Sequence, residues 1–96
     1  MATWEKTDRF LSDYEDLSAN QRNAFMSAVR DLVEDLPSRQ FGSSLRVKGV
    51  QAAPGVFEMS WADDGRATWQ YGPEVMKGQP HIIWRRIGRH DIFANP

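Results

Sequence analysis

The chain has no cysteine among its 96 residues. Disulfides, thiolate nucleophiles and cysteine-ligated metals are therefore excluded. That lack suits a reducing compartment, so a cytoplasmic protein is expected. No apolar run approaches the length of a membrane span, and the start, MATWEKTDRF, holds no stretch that would serve as a secretion signal. No membrane partner is expected. Internal repeats and low-complexity segments are absent. The two histidines, His81 and His90, stand nine residues apart with no metal-ligating spacing around them. No glycine-rich phosphate loop precedes a helix, and no Ser/His/Asp arrangement emerges. No metal and no cofactor are expected. Net charge is only −1, which by itself points to no polyanionic partner. Its distribution is less even. Residues 1–45 carry five basic and eight acidic side chains, whereas residues 46–96 carry seven and five. An anion-binding site therefore belongs in the second half.

What is present suits a single α+β domain spanning residues 1–96. The hydrophobic fraction is 41% and four tryptophans, Trp4, Trp61, Trp69 and Trp84, supply much of the core area. Phe10, Leu11, Tyr14 and Leu17 recur at helical spacing and predict a helix over 7–17. Ser18 followed by Gln21 reads as a capping box. Phe25, Val29, Leu32, Val33 and Leu36 then line one helical face until Pro37 ends it. Two helices so closely joined form a hairpin. From residue 44 the period becomes two, predicting strands at 44–50, 56–61, 66–71 and 81–88. Asp63-Asp64-Gly65 makes the turn of a β-hairpin. The last strand is apolar on both faces, with Ile83 and Ile87 on one and Ile82 and Trp84 on the other, as in a central strand.

Each of these strands sends apolar side chains toward the helices. The opposite face presents Arg46, Lys48, Glu58, Ser60, Arg66, Thr68 and Gln70, joined by one of Arg85 and Arg86, because strand neighbours point oppositely. A half-buried sheet commonly has a polar solvent face. This one mixes guanidinium, ammonium and carboxylate groups with a nearby imidazole, the set that phosphate binding and proton transfer use. Trp84, if it shares the open face with Arg86, is placed to stack on a base.

The order of helix, helix and antiparallel strands, with LRVKGV, then GVFEMSWADDGRATWQY, then IIWRRIGRHDIF, resembles the RelE/ParE toxin superfamily. The ending Gly88-Arg89-His90-Asp91-Ile92-Phe93 is most similar to the YafQ branch. The resemblance spans roughly residues 7–93. It implies a helix hairpin packed on a twisted antiparallel sheet. It further implies the toxin of a type II toxin–antitoxin pair, partnered by an antitoxin protein and acting on mRNA at the ribosome by metal-independent 2′-hydroxyl attack. By position, His90, Arg66 and Arg86 match catalytic places. Glu58 is added as a carboxylate able to act as base. Arg46, Lys48, Arg89 and Phe93 match RNA-binding places. The alternative is a ParE-like member that binds a protein partner and catalyses nothing.

Overall fold

The computed structural model describes residues 2–96. Along the chain it runs β1 (Thr3–Lys6), α1 (Asp8–Glu15), α2 (Ala19–Asp35), β2 (Lys48–Gly49), β3 (Val56–Ser60), β4 (Arg66–Gly72) and β5 (His81–Gly88). Short 3-10 helices occupy Ser43–Leu45 and His90–Ala94. The sheet order is β1-β5-β4-β3-β2. β2 to β5 pair antiparallel, and β1 joins β5 in parallel. The fold is thus α+β, a helix hairpin on one face of a five-stranded sheet.

Local chemistry sets the helix ends. Thr7 Oγ1 accepts the Phe10 N–H at the start of α1. Ser18 and Gln21 form the reciprocal capping box, each side chain accepting the other's backbone N–H. Arg22 donates to the Tyr14 carbonyl from both Nε and Nη2, tying the end of α1 to α2. Phe10, Phe25, Val29 and Leu32 then meet Met59, Ala67, Trp69, Ile82, Trp84 and Ile87 in one apolar cluster. Phe25 packs edge-on against Trp84, with centroids 5.2 Å apart.

Three expectations are corrected. The strand expected at 44–50 is reduced to Lys48–Gly49. Arg46 adopts a left-handed conformation, φ 49°, just after the 3-10 helix, and this breaks the extended path. In β5 the register with β4 shifts, Thr68 facing Arg86 and Trp69 facing Trp84, so that Arg85 is the extra residue of a β-bulge. The bulge resets the alternation, and Ile82, Trp84 and Ile87 all enter the main core. Trp84 is therefore a core residue packed on Phe10 and Phe25, with no exposed face for a base. Finally, the second face of the sheet is partly covered. Ile92, Val56 and Val50 are buried outside the main cluster, and Thr68 is fully buried.

Candidate functional site

Cross-strand pairing lays the polar residues out in rows. Lys48, Glu58, Thr68 and Arg86 form one row across β2 to β5, and Ser60, Arg66 and Gly88 form the next. Facing residues in such rows lie about 4.5–5.5 Å apart at Cβ, and diagonal ones about 7–8 Å apart. Glu58 and Arg66 are thus diagonal neighbours. The row alone does not make these groups available, because most have protein partners.

Arg86 is the most fully engaged. Its Nε and Nη2 donate to the two Asp13 carboxylate oxygens at 2.6 and 3.2 Å, and its Nη1 donates to the Asn95 carbonyl at 2.9 Å. Both side chains of the pair are about 13–14% exposed. The same Asp13 carboxylate accepts the Ile87 N–H. Arg86 therefore fastens α1 to β5, with its donors engaged by Asp13 and Asn95. Arg85 engages Gln70 Oε1 and the Pro96 carbonyl. The bulge explains why both neighbouring arginines reach the C-terminal segment, where simple alternation would have separated them. Lys48 pairs with Glu58 at 3.6 Å. Phe93 lies edge-on to the His90 ring, with centroids 4.9 Å apart.

The hairpin turn gathers a different set. Arg89 Nε donates to Asp64 Oδ2 at 2.6 Å. Asp64 is held below the usual carboxylate range, first by that hydrogen bond, which outweighs an opposing desolvation effect, with further help from the Arg89 charge, the His90 backbone N–H and the Arg66 charge. Arg89 is correspondingly raised by its hydrogen bond to Asp64. Asp64 thus draws Arg89, the His90 backbone and Arg66 to one end of the sheet. Arg66 Nη1 donates to the carbonyls of Ala62, Asp63 and Gly65, so its anchoring is to backbone and leaves its charge without a carboxylate pair among the described residues. Sequence reasoning missed that Asp64 holds Arg89, 25 residues further along the chain. The Arg66–Gly88 register that carries the turn beside Arg89 and His90 is a tertiary fact.

Next to that turn lies an open groove of about 410 Å³ between α2, the first 3-10 helix and the β3–β4 hairpin. Arg46 and Arg66 line it, with Ser60, Trp61, Asp63 and, from α2, Asp31. Arg46 has no ion pair or side-chain hydrogen bond among the described residues, so the groove holds one uncommitted cation beside the backbone-anchored Arg66.

No protein-family model matches the chain, and no curated protein matches it by sequence. Solved structures do match. A chain of the E. coli DinJ–YafQ toxin–antitoxin complex aligns over 94% of this chain and 93% of its own, at TM-score 0.65 and 14% identity. A chain of the RelB–RelE antitoxin–toxin complex from Methanococcus jannaschii aligns over 94% of each, at 0.61 and 13%. The protein has the RelE/ParE-like toxin fold. A metal-bound toxin from Helicobacter pylori shares that RelE/ParE-like fold over 95% of this chain and 97% of its own, at 0.64 and 18%. At these identities the likeness is one of fold, and residue roles rest on the geometry above. Among the described residues, no helix is long and apolar enough to cross a membrane, and no group of three or more potential ligands is placed to hold a metal ion.

Proposed function

We propose that the protein is the toxin of a toxin–antitoxin pair and cuts mRNA on the ribosome. The observation that carries this reading is the gathering of Arg66, Arg89 and the His90 backbone around the Asp64 turn of a RelE/ParE-like fold, beside a groove that holds uncommitted Arg46. In the proposed reaction the RNA 2′ oxygen attacks the adjacent phosphorus while Glu58 takes its proton. Arg66 stabilises the charge that builds on the pentacoordinate phosphate. The bond to the 5′ oxygen breaks, and His90, exposed at the start of the last 3-10 helix, protonates the leaving oxygen. The products are a 2′,3′-cyclic phosphate and a 5′ hydroxyl. Arg46, Lys48 and Arg89 hold the RNA backbone, and Phe93 buttresses the His90 ring. Arg86 has no chemical part, because its donors are committed to Asp13 and Asn95.

The partner in this reading is an antitoxin protein that neutralises the basic end of the sheet. A second reading also has an observation in its favour. Lys48, Arg86 and Arg89 all carry ion pairs, as suits a protein of this fold that binds a protein partner and cleaves nothing. Induction of the gene with and without its neighbouring open reading frame separates the two. Growth arrest with loss of intact mRNA, relieved by the neighbour, supports the nuclease. Arrest with intact mRNA supports the non-catalytic reading, and normal growth contradicts the toxin assignment.

A further inference from the structure

The groove between α2 and the β3–β4 turn contains more than cations. Its lining pairs Arg46 and Arg66 with two carboxylates, Asp31 on α2 and Asp63 in the turn, and with three hydroxyls, Ser27, Ser44 and Ser60. Neither carboxylate has an ion pair or a hydrogen bond to its side chain among the described residues, and none of the three hydroxyls is bonded. Outside the groove three carboxylates do hold cations: Asp13 takes Arg86, Glu58 takes Lys48 and Asp64 takes Arg89. The wall includes Trp61, 9% exposed, whose Nε1 is buried without an acceptor. The α2 side is kept open by Ala24, Ser27 and Ala28, three small residues in a row of one helical face. At about 410 Å³ the space lies within the ~300–1,000 Å³ range of small-molecule pockets.

Charges of both signs in one recess call for a ligand that is anionic at one end and offers N–H donors at the other. A nucleotide has that polarity. Ionised carboxylates only accept hydrogen bonds, through two oxygens side by side. Guanine is the base whose Watson–Crick edge offers two adjacent donors, N1–H and the 2-amino group. Adenine and cytosine each set an acceptor beside a donor there, and uracil flanks its single N–H with carbonyls. We infer that this groove is a guanine-reading subsite for single-stranded RNA, Asp31 accepting the two base N–H groups while Arg46 and Arg66 hold the attached phosphate. The inference rests on the RNA-acting reading above and adds to it a base preference and a place where it is set. Asp31 is the reader because α2 fixes its position, whereas Asp63 sits on the turn beside Arg66. Unstacked bases read on their Watson–Crick edges are the usual route to sequence preference in RNA binding.

The test is an NMR titration of the full chain with GMP, AMP, CMP and UMP, which needs neither ribosome nor cleavage. GMP should shift the Trp61 indole N–H and the amides of residues 27–31 and 44–46, and should bind about 5- to 150-fold more tightly than the other three, the worth of one bidentate pair. Asp31→Asn, on the exposed side of α2, should abolish that preference, since a carboxamide sets a donor beside an acceptor. Ser27→Phe should fill the groove and remove the response to all four, with unfolding unchanged. Equal binding of the four nucleotides, or no shift at the groove, overturns the inference. So does a groove that responds to a diarginine peptide and not to GMP, which would make it a site for a basic protein segment. If GMP seats as expected while the protein never cuts mRNA, it is the nuclease reading that fails, and the two outcomes stay distinguishable.

Discussion

Replacing Asp13 by alanine probes the contact that ties Arg86 to α1. The carboxylate accepts from Arg86 Nε at 2.6 Å, from Arg86 Nη2 at 3.2 Å and from the Ile87 N–H at 3.2 Å. With both side chains only 13–14% exposed, water replaces little of this. Stranding one partner of a buried ion pair costs about 3–5 kcal/mol. Arg86 keeps its bond to the Asn95 carbonyl, so the lower end, about 3 kcal/mol, is expected. A chain of this length is stable by roughly 5–14 kcal/mol, and the loss should lower Tm by about 12–24 °C. Urea unfolding followed by tryptophan fluorescence reads it well, because Trp69 and Trp84 are buried. Asp13→Asn should retain part of the stability by keeping one acceptor. Asp13→Ala with Arg86→Ala should cost clearly less than the sum of the two single changes. A loss below about 1 kcal/mol, or additive effects, would refute the reasoning and return Arg86 to the candidates for substrate binding.

Other outcomes follow from the core and the turn. Leu32→Ala should cost ~2–5 kcal/mol in the same unfolding assay, since Leu32 is fully buried under the sheet; no loss would mean that its helix face is misassigned. Gly65→Ala should cost about 1–3 kcal/mol, because a Cβ there meets the Trp61 ring at 2.6 Å; an unchanged midpoint would contradict that packing. The Arg89–Asp64 tie should depend on pH in one direction. Asp64 is depressed in the folded state, so the tie contributes above the ordinary carboxylate value of 3.8 and is lost as pH falls through the folded value. The difference in Tm between wild type and Arg89→Ala should therefore be level from neutral pH to about 5 and vanish in stronger acid. A difference that widens in acid would reverse the assignment.

The parts of the fold legible in the sequence were those governed by local periodicity and end chemistry. Ser18 with Gln21, Pro37 after α2, and the alternation through Phe57-Glu58-Met59 and Ala67-Thr68-Trp69 each carry their own signal. Irregularities that depend on tertiary partners did not show. The bulge at Arg85 leaves no mark in a run apolar on both sides, yet it decides that Trp84 is core and that both arginines meet the C-terminal segment. Strand β1, four residues around Trp4, is visible only once β5 offers it an edge. The same limit applies to the candidate site. His90, Arg66 and Arg89 were identifiable by residue type and position. Asp64, which holds Arg89, and Asp13, which holds Arg86, act across 25 and 73 residues of sequence.

The central claim, that this fold carries an mRNA-cleaving site built around the Asp64 turn, is tested most directly by primer extension on an mRNA translated in the presence of the protein. Wild type should produce discrete stops with 2′,3′-cyclic phosphate ends. His90→Ala should reduce cutting by ~10²–10⁴-fold while the protein stays folded, and Arg66→Ala should slow it with a smaller effect on ribosome binding. Cutting undiminished by His90→Ala would remove that imidazole from the mechanism, and an uncut message with wild type would contradict the claim outright.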